Sequence, residues 1–278
     1  MSIGRIIGKL AVPLAVGAFG ALFVLERRRP LRSAIESKNV RLGRNLALAG
    51  TAAAAGYLVE RPVANKAAML VEKRNFGLLK LVRLPKCFEQ LAAVVLLDYT
   101  LYLWHYLTHR IPALWRFHVV HHADLDLDST TALRFHFGEI AISVAWRAAQ
   151  IVVIGVSPAS LSMWYVLLLP SVIFHHSNVE MPERLERKLN AVFVTPRMHG
   201  IHHSVVKAET DSNWSSGLSI WDRIHGTFRG ISDHSGVNIG VPAYRRAEEI
   251  TVGKLIVMPF REQRPNWKLR AGEDSDGH

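Results

Sequence analysis

Three short segments of this chain gather imidazole side chains at spacings that suit a shared cation: His105-x-x-x-His109, His118-x-x-His121-His122 and His199-x-x-His202-His203. Residues three and four apart on a helix stand about 5–6 Å apart on one face, so each segment can aim its rings at a single point. A lone histidine in an apolar stretch is ordinarily a core residue bonded to a backbone carbonyl. Two copies of H-x-x-H-H are not explained that way, because burying so many imidazoles costs free energy unless something positive uses their lone pairs. Imidazole suits iron, zinc, copper and nickel, whereas magnesium and calcium prefer oxygen. A tetrahedral structural zinc takes four ligands, usually with cysteine among them, and this chain has only Cys87. Two ions sharing eight or more histidines is the expected arrangement.

The elements that must carry these ligands are largely apolar. Of 278 residues, 49% are hydrophobic, and they fall in blocks. Ile6 to Val24 is a run of 19 residues whose only charge is Lys9, the first expected membrane span. Asn45 to Val59 is a shorter, alanine-rich second candidate, and Lys66 to Lys86 is expected to lie amphipathically in the interface. Leu91 to Trp104 runs directly into His105 and His109, which sets the metal near the membrane–water boundary. Asp98 lies two helical turns before His105 and is a candidate to orient that ring by accepting its second N–H. Ile140 to Val156 and Leu161 to Phe174, broken at Ser157-Pro158, predict a hairpin that enters the bilayer and returns the chain to the side of the first two clusters. Pro170 in the second arm predicts an incomplete crossing, and Arg147 in the first must face protein or snorkel.

The formal charge of +11 does not require nucleic acid. Seven Lys/Arg lie between Arg27 and Arg44 and seven more between Arg61 and Lys86, beside apolar blocks, as expected of loops facing anionic headgroups. With one cysteine there is no internal disulfide. No G-x-G-x-x-G or G-x-x-x-x-G-K-[ST] loop is present, so electrons for a redox reaction must come from another protein. Asp124, Asp126 and Asp128 resemble the start of a calcium loop, but Phe135 holds the last ligand position, so they are expected to be solvated loop carboxylates.

Such a centre could activate water for hydrolysis or dioxygen for oxidation. A zinc peptidase would carry H-E-x-x-H, which is absent. Iron changes redox state and zinc does not, which favours oxygen chemistry. A di-zinc membrane hydrolase and a non-catalytic membrane protein binding metal or haem are the alternatives.

From Leu91 to Arg261 the chain resembles the fatty acid hydroxylase/sterol desaturase superfamily of integral-membrane di-metal oxygenases. The resemblance rests on the ordered histidine boxes and on HHADLDLDSTTALRFH, FHHSNV, TPRMHGIHHS and NWSSGLSIWDRIHGTF. It implies an all-α, multi-pass membrane bundle whose cytosolic helical cap holds a di-metal site. The implied division is an N-terminal membrane and interfacial region at 1–88, a catalytic domain at 89–262 and a polar tail at 263–278. His105, His109, His118, His121, His122, His199, His202 and His203 match the boxed ligands, and His176 matches a further ligand position. His136 matches a looser one, with Arg134 and Glu139 as supporting groups, and His225 falls where the pattern has no histidine. Asn178, Asn213 and Asp222 are candidates to support the ligands from behind.

The activity implied is O2-dependent hydroxylation, or desaturation, of an unactivated C–H in a fatty acyl lipid, sphingolipid, ornithine lipid or sterol. It would use two iron ions, replaceable by zinc on purification, and an external electron-transfer protein such as a ferredoxin or a cytochrome b5-type reductase system. The implied setting is a cell inner membrane or endoplasmic-reticulum-type membrane, with the metals facing the cytoplasm.

Overall fold

The computed structural model describes residue 17 and residues 19–230, 237–265 and 267. Most of the expected first span, Ile6 to Val24, and the tail from Ala271 to His278 lie outside the described residues. Among the described residues the fold is all-helical, with isolated bridges such as Pro30 to Val179 in place of a sheet.

After a helical stretch at 19–28, one unbroken helical rod is formed by α1 (Lys38–Ala55), a π-helical segment (Gly56–Glu60) and α2 (Arg61–Arg74). The second span expected at Asn45 to Val59 is thus part of a longer rod. It is not among the helices long and apolar enough to cross a membrane. The interfacial segment expected from Lys66 likewise joins the rod, which stops at Asn75 in the left-handed region. Ala64, Ala68 and Val71 recur at helical spacing, pack against the hairpin, and leave Met69 and Leu70 exposed.

Among the described residues, three helices are long and apolar enough to cross a membrane: α3 (Lys86–Arg110), α5 (Phe137–Ile154) and α6 (Pro158–His176). At about 1.5 Å rise per residue their 25, 18 and 19 residues suit a hydrocarbon layer of about 30 Å. α6 continues through Pro170, so the second arm of the hairpin is long enough to cross, contrary to the expectation of an incomplete one. Leu167 and Val153 point outward from the hairpin, as residues facing lipid should.

Proline and glycine set the boundaries. Pro112 starts α4 (Pro112–His122) and forces Ile111 out of helical geometry, which turns the chain between the first two histidine segments. Gly155 ends α5 in the left-handed region, and the Ser157 side chain accepts from Ser160 N to start α6. Gly77, also at positive φ, is packed so closely on Gly155 that an added Cβ would lie 2.3 Å from the Gly155 Cα. Beyond the hairpin, α7 (Glu183–Asn190) and α8 (Pro196–His202) return the third segment to the others.

One core holds Leu97, Ile151, Leu161 and Trp164 between the long helices; a second holds Leu48, Val119, Val120, Tyr244 and Leu255 beneath α4. Arg147 faces protein, where its Nε donates to Glu60 Oε1 at 3.1 Å. Unpartnered in lipid, an arginine at this depth would cost about 3 kcal/mol by insertion scales.

Asp124, Asp126 and Asp128 are not solvated loop groups. Asp124 is fully buried and accepts from Arg41 Nη2 at 2.9 Å and Arg44 Nη2 at 3.2 Å. Asp128 accepts from Arg41 Nη1, and Asp126 accepts from the backbone N–H groups of Ile35 and Glu36. This network ties α1 to the loop after α4. The arginines hold the Asp124 carboxyl well below the usual carboxylate range despite its burial.

Candidate metal centre

The three histidine segments converge where α3, α4, α6 and α8 meet. His105 and His109 stand on the last turns of α3, His118, His121 and His122 on α4, His176 at the end of α6, and His199 and His202 on α8, with His203 capping it. They sort into two groups of candidate donors. His105, His109, His118, His122 and His202 form one, and His121, His176, His199 and His203 the other, with donor atoms in each group within 4.8 Å of one another. An ion with nitrogen ligands at about 2.1 Å separates opposite donors by about 4.2 Å, so each group fits one ion.

In four of the nine rings the nitrogen not aimed inward is fixed by a neighbour. His105 Nδ1 donates to the Trp214 carbonyl at 2.7 Å, His118 Nδ1 to Glu139 Oε1 at 2.8 Å, His202 Nδ1 to the Ser212 carbonyl at 2.8 Å and His176 Nδ1 to the Val172 carbonyl at 2.8 Å. These bonds leave each Nε2 as the inward lone pair, the usual outer support of a metal-bound histidine. In the five-histidine group the Nε2 atoms of His105, His109, His118 and His202 are buried with no protein partner, and so are both nitrogens of His122.

The four-histidine group cannot be satisfied by hydrogen bonds alone. His176 Nε2 lies 3.1 Å from His121 Nε2 and 3.0 Å from His199 Nε2, and His199 Nε2 lies 3.1 Å from His203 Nε2. Each imidazole nitrogen has one in-plane valence, a proton or a lone pair, yet His176 Nε2 and His199 Nε2 each face two partners. At most two of the three contacts can be hydrogen bonds, whereas a cation at the centre satisfies all four rings. Burial pushes His121, His122, His199 and His203 well below the ordinary histidine value, reinforced by neighbouring imidazoles. It brings His202 down to about 3. These rings are held neutral, the form that binds metal.

Other sequence candidates fall in different places. His136 belongs to neither group: its Nδ1 accepts from Gly138 N at 2.9 Å and its Nε2 donates to the Ile256 carbonyl at 3.0 Å, which caps α5 and leaves no lone pair for an ion. Asp98 does not orient His105; it accepts from Leu218 N at 3.0 Å and Trp221 Nε1 at 2.7 Å. Asp222 accepts from Trp214 N and Ser215 N, fixing the peptide that offers its carbonyl to His105. Asn213, at φ 55°, donates to the Met198 carbonyl of α8. Arg134 donates to the Val120 and Ala123 carbonyls at the end of α4, beneath His121 and His122. Asn178, two residues after His176, directs its side chain to the Arg32 backbone rather than to a histidine. His225 is exposed and stacks on Tyr102. His175 lies outside both groups, buried with its ring centroid 4.1 Å from that of His199. The carbonyl supports from Trp214, Ser212 and Val172 carry no side-chain signal that a sequence reading could use.

A cavity of about 240 Å3 opens beside these rings, lined by His105, His118, His121, His176 and His199 at one end and by Leu101, Trp104, Phe135, Ile140, Leu168 and Val172 along its walls. Phe135 stacks on His121 at 4.5 Å between centroids.

The fatty acid hydroxylase family profile matches residues 90–227, which hold both groups entire. The chain belongs to the fatty acid hydroxylase superfamily. Among fatty acid hydroxylase relatives, it is 32% identical to ornithine lipid hydroxylase OlsE of Rhizobium tropici, over 56% of this chain and 46% of that protein. It is 30% identical to the alkylglycerol monooxygenase of Homo sapiens, over 47% of this chain and 28% of that one. It is 27% identical to a cholesterol 25-hydroxylase-like protein of Danio rerio, over 49% and 53% respectively. The chain therefore spans about half or less of these relatives. No solved structure matches it. As in the superfamily, the candidate centre is histidine-rich and belongs to a helical membrane protein.

Proposed function

We propose that this chain is a membrane-bound oxygenase that hydroxylates an unactivated C–H bond of a lipid, with two iron ions, O2 and electrons from a separate electron-transfer protein. The observation that carries the reading is the pairing of two buried imidazole groups with an apolar cavity between membrane-length helices. Five imidazoles exceed what a tetrahedral zinc takes, and an all-nitrogen donor set without cysteine suits iron. The five-histidine and four-histidine groups would each hold one ion, and bound iron would supply the one-electron and oxygen chemistry that no side chain provides.

The chain's own part is positional. Glu139 holds the Nδ1 proton of His118, and three backbone carbonyls do the same for His105, His202 and His176. Phe135, Trp104 and Val172 line the space a substrate carbon would enter and exclude water from it. The relatives named as acting on ornithine lipid, alkylglycerol and cholesterol support a lipid substrate. The three membrane-length helices support a multi-pass topology, with the centre assigned to the cytoplasmic face.

The test joins metal analysis of the detergent-extracted protein to lipid mass spectrometry of cells with and without the gene, grown with and without O2. The expected result is about two iron ions per chain and an oxygen-dependent lipid species heavier by one oxygen atom. Turnover without O2 or reductant would overturn the proposal.

A further inference from the structure

The cavity beside the histidines has a second, polar end. Glu60, Arg147 and Tyr165 also line it, well inside the membrane-length hairpin. Arg147 follows Glu139 by eight residues on α5, about 12 Å of helix rise, and Tyr165 precedes His176 by eleven on α6, about 16 Å. Arg147 Nε donates to Glu60 Oε1 at 3.1 Å, its Nη1 to Gln150 Oε1 at 2.7 Å, and the Tyr165 hydroxyl to the same Glu60 oxygen at 2.9 Å. The guanidinium lies over Trp164 at 4.3 Å. Among the described residues nothing partners Arg147 Nη2 or Glu60 Oε2. One free donor therefore stands beside one free acceptor.

The rod is shaped to put Glu60 there. Arg41, Arg44, Asn45 and Leu48 are the buried face of α1, and continuing that face at 3.6 residues per turn reaches Val59. The π segment at Gly56–Glu60 inserts one extra residue. The inward face accordingly shifts to Glu60, Ala64, Ala68 and Val71, while Val59 is exposed. Single π turns within α-helices are frequent at functional sites.

We propose that Glu60, Arg147 and Tyr165 form a subsite for a neutral polar group of the substrate, a hydroxyl or an amide, about 12–16 Å from the carbon that is oxidised. Such a group donates and accepts at once, matching Glu60 Oε2 and Arg147 Nη2. A carboxylate would set a second negative charge beside Glu60, and a methyl terminus would leave both free atoms unmatched. This assignment rests on the lipid-hydroxylase reading and specifies the substrate as an amphiphile with a neutral polar function at the membrane-depth end of the cavity.

The test is equilibrium binding of tritiated dodecanol, whose extended chain matches this separation, to the full-length protein in nanodiscs. Unlabelled dodecanol, dodecanamide, dodecanoic acid and dodecane serve as competitors. Dodecanol and dodecanamide should compete at least about tenfold better than the acid or the alkane. In Glu60→Gln and Arg147→Lys that preference should shrink about tenfold. The paired variant E60L/R147M replaces the ion pair by apolar side chains of similar size, a change that proteins often tolerate. It should still bind dodecane and lose the preference. Equal competition by all four in the wild type, or an undiminished preference in the paired variant, would overturn the subsite. Lipid oxidation by the wild type is measured on the same preparation, loaded with iron and supplied with O2 and a ferredoxin–reductase system as electron source. Selective binding without oxidation refutes the hydroxylase reading alone; oxidation without selective binding refutes the subsite alone.

Discussion

Glu139→Gln offers a selective test of the two-ion arrangement, because Glu139 touches one group and not the other. Its Oε1 accepts from His118 Nδ1 at 2.8 Å, both side chains are buried, and Oε2 has no protein partner. The substitution therefore alters one charge-assisted bond and little else. A buried hydrogen bond to a charged group is worth about 1.5–3 kcal/mol, which converts to roughly 10–150-fold in affinity. Loss of a carboxylate behind a ligand histidine commonly weakens metal binding about 10–100-fold. Glutamine keeps an acceptor oxygen and loses the charge, so the effect belongs near the lower end of that range. Iron loading against a graded chelator series, read by elemental analysis, should resolve two classes of ion in the variant, one weakened about tenfold or more and one like wild type. The weakened class belongs to His105, His109, His118, His122 and His202. Equal weakening of both ions, or of neither, would refute the division into two groups.

The groups should also separate under ligand deletion. His176→Ala should remove the ion of the four-histidine group and His202→Ala that of the five-histidine group; each should abolish lipid oxidation while membrane insertion, read by carbonate extraction, persists. Full activity in either variant would contradict the assignment. Asp124 gives the pH dependence: its folded carboxyl is held below an unfolded value of about 3.9, so its contribution is complete above that value and is lost as pH falls below it. Asp124→Asn should cost about 1.5–3 kcal/mol near neutral pH, because it removes a buried charge-assisted partner while Arg41 keeps Asp128 and Arg44 keeps Glu36, and should flatten the acid limb of thermal stability measured in detergent. Gly77→Ala should destabilise by about 1–3 kcal/mol, since Gly77 holds φ 109° and an added Cβ meets Gly155 backbone; an unchanged melting temperature would contradict that packing.

The histidines of the two groups were legible in the sequence because side chains of one type recur there at helical spacing, and the hairpin was legible because Ser157 and Pro158 separate two apolar runs. Asp124 was misread as solvated because its partner Arg41 lies 83 residues away and no local pattern announces the pair. Asp98 and His136 stand at suggestive spacings, yet tertiary packing engages them with Trp221 and the Ile256 carbonyl instead. The π segment did leave a sequence signal, in Pro62. A proline there has no N–H to donate to the Leu58 carbonyl, and its ring crowds that carbonyl, so the preceding turn widens. Arg61 N then reaches back to the Gly56 carbonyl, five residues earlier. An alanine-rich helix followed by proline suggests a span that ends. In this chain it makes a rod that changes phase by one residue, and that phase change puts Glu60 rather than Val59 in the cavity with Arg147.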